Sequence, residues 1–372
     1  MTDTPNIYKF ATSELSQDAT LAYILSWANL PYRRSHPTLN RLGENLLRAL
    51  VEAASKAKGL ENPLDNRAIN ALDVGTQRDN IDVWVQINNC LFLVIEDKTD
   101  TMQHGDQIAR YTQAADKYQN QEGKPLQVVA VYVKTGNESK GTLPGGDLCG
   151  TFLRHDLLAV FEAIPDTGNT IVEDFRTHLQ RWEDDTESYR STPCSSWSWR
   201  ARQGYYLELE RWLCERRQQS AKGSGDVGWG YVPNRSGGFL GFWWHWRSFA
   251  RRRCNLYLQI ENATRLQIRV SHVIDDAGEK IKSDRNLLWN VYHAIRTASE
   301  EEPFDSMQTT KAGDFKGGWY AGVVDITFQD DQNTYLAADS QGIVDLAATQ
   351  ERLLQAMRFV DAVCDDVKEV DA

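Results

Sequence analysis

The sequence predicts an α/β domain followed by an α+β domain. Short runs rich in Val and Ile alternate with helical leucine patterns in the first part of the chain, which is typical of an α/β domain. The 372 residues exceed the roughly 100–200 that one domain usually holds. A polar stretch containing Pro193 separates the two parts. We therefore predict a first domain over residues 1–185, a linker over 186–200 and a second domain over 201–372.

The first domain combines helices with a hairpin. A helix is predicted by a stripe of leucines at helical spacing, Leu39, Leu42, Leu46 and Leu50. Two apolar strands, Ile81–Val85 and Phe92–Lys98, flank the turn-forming pair Asn88-Asn89 and predict an antiparallel hairpin. The later elements are a helix containing Gln107–Tyr111, a strand over Val128–Val133, and helices over Leu153–Ile164 and Ile171–Trp182.

One end of the hairpin carries three charged residues. Because side chains alternate between the two faces of a strand, Glu96 and Lys98 point the same way, and Asp82 opens the other strand at the same end. Two carboxylates can hold Mg²⁺, and a lysine beside them can orient or deprotonate a water and offset charge on a phosphate. The alternative is an ordinary Glu/Lys surface pair, because this spacing by itself is a loose pattern.

The motifs occur in a definite order along the chain. Asp82 lies on one strand, Glu96-Asp97-Lys98 on the next, and Gln107-x-x-x-Tyr111 on the following helix. This order resembles the PD-(D/E)XK nuclease superfamily, and the opening Phe10–Ala19 is similar to the start of one bacterial and phage branch of it. Ile81 stands where the name-giving proline would precede the aspartate, and that proline carries no chemistry. The resemblance implies a restriction-endonuclease-like core, with a mixed central sheet flanked by helices.

The resemblance also implies a catalytic centre. Asp82 and Glu96 would bind a divalent metal ion, Mg²⁺ or Mn²⁺, together with the backbone carbonyl of Asp97. Lys98 would act at the attacking water. The product would carry a 5′-phosphate.

Three further positions receive roles from the resemblance alone. Glu44, on the first core helix, would assist the metal, and Gln107 and Tyr111 would help to place the substrate. For Glu44, the alternative is an exposed partner of Arg48, four residues on in the same helix. For Gln107 and Tyr111, the alternative is a tyrosine that packs its ring beside a solvated glutamine.

Composition sets limits on partners and location. The formal net charge of −11 does not favour indiscriminate binding of nucleic acid. No apolar run approaches the roughly 20 residues of a membrane span, and the N-terminus does not look like a signal peptide, so we expect a cytoplasmic protein. The six cysteines contain no Cys-x-x-Cys pair, which argues against a zinc site and a disulfide framework.

A basic and aromatic segment covers residues 190–253. It holds twelve Lys and Arg against four Asp and Glu, a local charge of +8. Arginines contact phosphates and aromatic rings stack on unpaired bases, so Arg251, Arg252 and Arg253 are predicted substrate contacts. The alternative is that Phe242–Trp246 forms a buried strand whose tryptophans fill the core of the second domain, with the arginines at its edge.

The second domain mixes strands and helices, which predicts an α+β class. Residues Gly223–Gly241 are predicted to form turns. The regular elements predicted are a helix over Tyr205–Gln219, strands over Phe239–Trp246, Asn255–Glu261, Leu266–His272 and Ala321–Phe328, and helices over Asp284–Ala298 and Leu346–Val363.

The sequence therefore predicts a Mg²⁺- or Mn²⁺-dependent nuclease that hydrolyses nucleic acid, DNA in preference to RNA, in a setting such as antiviral defence or DNA processing. The alternative is a nucleic-acid- or ligand-sensing binding protein that keeps the fold without turnover. Double-strand cleavage with one active site per chain would favour a homodimer. An activating ligand or partner protein is compatible with either function.

Overall fold

The computed structural model describes residues 5–101, 106–120, 122–144, 148–219, 227–234, 237–249, 254–274, 278–301, 307–329 and 334–365. The chain divides into two compact units. The first comprises Met1–Glu138 and Thr142–Asp184, and the second comprises Ser139–Gly141 and Asp185–Ala372. Within the described ranges, no helix is both long enough and apolar enough to cross a membrane.

The first unit contains a five-stranded mixed sheet flanked by helices, which confirms the predicted fold class. Its elements are α1 (Glu14–Ser26), α2 (Tyr32–Ser35), α3 (Pro37–Ala57), β1 (Leu72–Arg78), β2 (Ile81–Ile87), β3 (Leu91–Lys98), α4 (Gln107–Ala115), β4 (Gln127–Lys134), β5 (Gly150–Leu153), α5 (Arg154–Glu162) and α6 (Thr170–Glu187). The strand order is β1-β2-β3-β4-β5. β1, β2 and β3 pair antiparallel, whereas β4 pairs parallel with both β3 and β5.

The predicted hairpin is formed by β2 and β3. Asn88 and Asn89 both adopt positive φ, 49° and 53°, which is the conformation that a tight hairpin turn requires and that asparagine tolerates better than most residues. The register pairs Val83 with Ile95. One step further along, Asp82 is brought level with Glu96.

The two faces of this sheet bury different clusters. Val83, Val85, Leu93 and Ile95 belong to the larger core, which includes α1 and α3 residues such as Leu21 and Leu46. The opposite face holds a smaller core, formed by Phe92, Val94 and Tyr132 with Ile108 and Tyr111 of α4. The strict alternation along β3 therefore sends Asp97 towards the larger core, and Glu96 and Lys98 towards the α4 side.

The second unit is α+β, as predicted, and is built on an antiparallel sheet of seven strands. Its elements are α7 (Trp199–Gln219), β6 (Gly228–Val232), β7 (Phe239–Phe249), β8 (Cys254–Glu261), β9 (Arg265–Ile274), β10 (Lys280–Ile281), α8 (Arg285–Glu301), β11 (Met307–Lys311), β12 (Ala321–Phe328) and α9 (Leu346–Asp365). The strand order is β11-β12-β9-β8-β7-β6, and β10 pairs with β9. One face of this sheet packs on α7, α8 and α9 in a single large core.

Two segments differ from their prediction. The predicted linker, residues 186–200, folds into short 3-10 turns and the start of α7, and it buries Tyr189 and Trp197 in the core of the second unit. The Gly-rich stretch predicted as turns contains β6. Gly228 of β6 leaves room for a large neighbour, because a Cβ there would lie 3.0 Å from Nε1 of Trp243.

Candidate active site

The hairpin brings the predicted triad of Asp82, Glu96 and Lys98 together. Nζ of Lys98 lies 2.8 Å from Oε1 of Glu96 and 3.4 Å from Oδ2 of Asp82. It also donates a hydrogen bond of 2.9 Å to the backbone carbonyl of Asp97. The same oxygen of Asp82, Oδ2, also accepts a hydrogen bond of 3.1 Å from the backbone amide of Asp97.

This cluster is buried, which separates it from an ordinary surface ion pair. The Glu96 side chain is 1% exposed and the Lys98 side chain 9% exposed. Burial raises the pKa of Glu96 to about 7, and the charge of Asp82 adds to the rise, although Lys98 opposes it. Burial alone would lower the pKa of Lys98, but its hydrogen bond to Glu96 and the surrounding carboxylates outweigh burial and raise that pKa. Lys98 is therefore a protonated ammonium group.

Helix α1 supplies three site residues that the sequence argument did not assign: Glu14, Gln17 and Asp18. Oε2 of Glu14 lies 3.8 Å from Nζ of Lys98. Oε1 of Glu14 accepts hydrogen bonds from the backbone amide of Thr99 at 3.3 Å and from the hydroxyl of Thr101. A signal was present in the sequence, because these positions extend the apolar stripe of Leu21, Ile24 and Leu25 by one and two helical turns.

Gln17 and Asp18 surround the Asp97 carboxyl group on the other face of β3. Nε2 of Gln17 donates a hydrogen bond of 2.5 Å to Oδ1 of Asp97, and its Oε1 accepts one of 2.7 Å from Thr135. Burial, then the charge of Asp18, raises the pKa of Asp97 well above its ordinary value. Burial, then the charge of Asp82, raises the pKa of Asp18 to about 6. Both carboxyl groups are therefore harder to ionise than a solvated aspartate.

The motif on α4 lies on the Glu96 side of the sheet. Tyr111 is buried in the same small core as Phe92 and Val94, the residues that precede Glu96 on that face. Nε2 of Gln107 donates a hydrogen bond of 3.3 Å to the hydroxyl of Tyr111. The structure thus pairs Gln107 with Tyr111. Their predicted role towards substrate stays a prediction.

Glu44 is not brought to the triad. It lies on α3, and its Oε1 accepts a hydrogen bond of 2.7 Å from Arg33 of α2. Within the described part of the chain, Glu44 makes no hydrogen bond or ion pair with Asp82, Glu96 or Lys98. The alternative partner, Arg48, instead donates to the carbonyl groups of Leu64 and Arg67. The helical glutamate beside the triad is Glu14, because α1 rather than α3 crosses this end of the hairpin.

The predicted substrate contacts Arg251, Arg252 and Arg253 lie outside the described residues. The tryptophans of the same segment fit both sequence interpretations. Trp197, Trp229 and Trp244 are buried in the core of the second unit, as the packing interpretation requires. Trp243 and Trp246 are only partly buried and do not belong to that core.

The residues around Asp82 and Glu96 fit a hard divalent cation. Both carboxylate oxygens of Glu96 are buried, and apart from the ion pair with Lys98 they accept no hydrogen bond among the described residues. No group of three or more His, Cys, Asp and Glu side chains in the described ranges is arranged to hold a metal. The candidate donors are therefore two carboxylates and the carbonyl of Asp97, which are oxygen ligands of the kind that Mg²⁺ prefers.

Comparison with known proteins agrees with this geometry. The sequence model of the PD-(D/E)XK nuclease superfamily matches residues 5–186. This part of the chain belongs to the PD-(D/E)XK nuclease superfamily. Searches of curated proteins and of solved structures found no match to the chain. The superfamily assignment covers the mixed sheet of the first unit and the hairpin that carries the triad.

The buried Asp18 gives the stability of the first unit a testable pH dependence. The pKa of Asp18 is about 6 in the folded chain against an ordinary value of 3.8, so folding favours its protonated form. The stability that this group contributes is complete below about pH 4 and is lost as the pH rises through 6. We expect Asp18→Asn, which stays neutral, to raise the free energy of unfolding by about 1–3 kcal/mol near pH 8 and by about a third as much near pH 4.5.

Urea unfolding in EDTA at the two pH values measures this difference. Asp73→Asn is the matched control, because Asp73 is an exposed aspartate on β1 of the same unit. If Asp18→Asn were destabilised equally at both pH values, the hydrogen bonds of the Asp18 carboxylate would stabilise the fold. The expectation that its buried charge destabilises the fold would then be wrong.

Proposed function

We propose that this protein is a Mg²⁺- or Mn²⁺-dependent nuclease that hydrolyses phosphodiester bonds, with DNA as its substrate. The observation that carries the proposal is the buried contact of Lys98 with Glu96 and Asp82 at the end of the hairpin. Burying Glu96 and Lys98 next to a partly buried Asp82 is costly for a purely structural hairpin, and it is reasonable where the charges serve chemistry.

Each residue of the triad has a distinct task in this proposal. Asp82, Glu96 and the carbonyl of Asp97 would hold the metal ion. When bound, the ion supplies Lewis-acid stabilisation of the charge on the phosphate. Lys98 would donate hydrogen bonds that orient the attacking water and offset the charge that develops on the phosphate.

We infer that Glu14 takes the supporting role that the sequence argument gave to Glu44. Its carboxylate is 31% exposed and lies at the edge of the cluster, next to Lys98 and the Thr99 amide. This position lets it hold Lys98 in place, and it also leaves the carboxylate accessible to a substrate or a water.

Alanine substitutions of the two glutamates should therefore differ. We expect Glu14→Ala to lower the rate of DNA cleavage about 10–100-fold, which is the usual effect of losing a group that orients the residues that bind the metal. Glu44→Ala removes a partly exposed ion pair with Arg33, which contributes at most about 1 kcal/mol to stability, and should leave the rate within about twofold. Initial cleavage rates with saturating metal measure both effects, and the opposite ranking would return the supporting role to Glu44.

The function itself is tested with labelled single- and double-stranded DNA and RNA, each incubated with Mg²⁺, Mn²⁺ or EDTA. We expect metal-dependent cleavage of DNA that is lost in the Asp82→Asn variant. Cleavage that persists in that variant would point to a contaminating enzyme. Binding without cleavage on every substrate would favour the sensing protein. A homodimer, an activating partner, a cytoplasmic location and a role in antiviral defence stay predictions from the sequence.

A further inference from the structure

The sheet of the second unit has one face that its helices do not cover within the described residues. Leu256, Leu258 and Ile260 of β8 point into the core, whereas Tyr257 and Gln259, which alternate with them, point to the opposite face. We refer to this opposite face as the open face. Large aromatic side chains collect there, at a place where an antiparallel sheet usually presents polar residues.

A bulge in β7 places one of these aromatic residues. Trp244 pairs with Leu258 and Arg247 with Leu256, so β7 holds one extra residue at this point, and His245 has a φ of 58°. Without the bulge, Trp246 would share the core face with Trp244. The extra residue re-aims it to the open face beside Trp243.

The bulge is held in place from the core side. The His245 ring and the Arg247 guanidinium both contact Oδ1 of Asp361 on α9, at 3.0 Å and 2.9 Å. The Trp246 ring stacks on Tyr257 with a centroid distance of 4.1 Å and an angle of 11° between the ring planes. The bulge has a strained backbone, is fixed by two side-chain contacts, and presents a stacked indole ring. We therefore interpret it as a specific structural feature of this sheet.

The open face forms a pocket of about 650 Å³ around these rings. Its aromatic lining consists of Phe239, Trp243, Trp246, Tyr257, Trp319 and Tyr320. Trp319 and Tyr320 come from the loop before β12 and are 45% and 59% exposed. The volume lies within the range of roughly 300–1,000 Å³ of small-ligand sites.

The polar groups of the pocket limit the ligand's charge. Among the described residues that line it, Arg269 is the one that carries a charge. Its Nη1 is held by Glu261 at 2.6 Å and by Gln267 at 2.9 Å, so its charge is already balanced. A cationic ligand would be repelled by the guanidinium of Arg269. An anionic ligand would have to compete with Glu261 for that guanidinium. These contacts favour a neutral group.

Arg269 also leaves a hydrogen-bond donor for such a group. Its Nε is buried and has no acceptor among the described residues. Buried donors of this kind are usually satisfied, so a small shift of the surrounding side chains on binding would let an acceptor on a ligand reach this Nε. The amide of Gln259, which also lines the pocket, is already used, since its Nε2 donates a hydrogen bond of 3.1 Å to Glu261 and its Oε1 accepts one of 3.4 Å from the Tyr257 hydroxyl. A flat ring with a hydrogen-bond acceptor on its edge fits the aromatic lining and the Nε of Arg269.

We propose that this pocket binds an unpaired nucleobase by stacking it between aromatic side chains. The choice of a base over another flat polar ring rests on the proposed function, which makes nucleic acid the substrate. A base in a single strand fits better than a free nucleotide, because the described lining offers no unpaired cation for a group of phosphates. The exposed Lys282, whose Nζ lies 5.9 Å from the ring centroid of Trp319, is available to the backbone of a strand outside the pocket.

Fluorescence anisotropy with a labelled single-stranded thymidine oligomer of about 20 nucleotides, in EDTA, tests the proposal. We expect Trp319→Ala and Trp246→Ala each to weaken binding about tenfold or more. Trp199→Ala is the matched control, because Trp199 is 43% exposed, close to the 45% of Trp319, and does not line the pocket. It should change the affinity less than about twofold. Trp319 is exposed, so its removal leaves the core intact, and thermal melting verifies this.

Three outcomes would overturn the proposal. The first is an equal loss of affinity in Trp199→Ala, and the second is no loss in Trp319→Ala and Trp246→Ala. The third is competition by thymidine monophosphate as strong as that by the oligomer, which would replace the strand by a free nucleotide. Binding in EDTA does not need catalysis. If the protein cleaves DNA with metal but Trp319→Ala binds the oligomer normally, only the proposed base-binding pocket is overturned. If Trp319→Ala weakens binding but the protein cleaves nothing, only the proposed nuclease function is overturned.

Discussion

Replacing Lys98 by alanine is expected to lower the rate of DNA cleavage about 10²–10⁴-fold, the range in which groups that position protons or stabilise developing charge act. The expectation follows from the position of Nζ, which lies within 3.4 Å of both Glu96 and Asp82. No other lysine in the described ranges contacts this pair of carboxylates. The measurement is a single-turnover cleavage rate with saturating metal, on the nucleic acid that the wild type cleaves best.

The neighbouring strand offers a matched control for this substitution. Lys134 of β4 pairs in register with Lys98, is also buried, and forms an ion pair of 3.2 Å with Glu138 instead of with the triad. Lys134→Ala should cost comparable stability yet keep the cleavage rate of the folded protein within about tenfold of wild type. Equal losses of cleavage rate in the two variants would mean that a buried lysine is required for the structure of the sheet. The chemical role of Lys98 would then be unsupported.

The triad was predictable from the sequence because the period of two along a strand and the two asparagines of the turn fix which side chains meet. Asp82, Glu96 and Lys98 all lie within one hairpin, so local rules suffice to place them. Burial was not predictable in the same way. It depends on α1 and α4 closing over the end of the hairpin, and those are contacts between distant parts of the chain.

The choice between two supporting glutamates shows the same limit. Glu44 and Glu14 both lie on helices before the sheet, and the helical period says which face each occupies but not which helix crosses the catalytic end. The structure brings α1 there, through hydrogen bonds such as Gln17 to Asp97, which are 80 residues apart in sequence. The pocket of the second unit was hidden for another reason. A single extra residue at His245 reverses the alternation of β7, and no local signal marks it.

The Glu96–Lys98 ion pair is expected to give a large, pH-dependent effect on stability. Lys98→Met keeps the apolar stem of the side chain but leaves Glu96, Asp82 and Glu14 around a buried site without a cation. We expect this variant to lose about 3–5 kcal/mol of unfolding free energy near pH 8, the usual cost of removing one partner of a buried pair. The loss should shrink near pH 5.5. Glu96 has a pKa of about 7 even beside Lys98, so its folded form takes up a proton as the pH falls.

The double variant Glu96→Gln, Lys98→Met separates this coupling from a general packing defect. Glutamine has nearly the shape of glutamate and no charge, so it removes the unpaired buried carboxylate that the single Lys98→Met variant creates. We therefore expect the double variant to be more stable than Lys98→Met near pH 8, by about 1–3 kcal/mol, and to lose the pH dependence of that variant. Urea unfolding of the four proteins of the cycle, in EDTA, gives the coupling energy directly. Strictly additive losses would show that Lys98 stabilises the fold through Asp82 or Glu14, and not through Glu96.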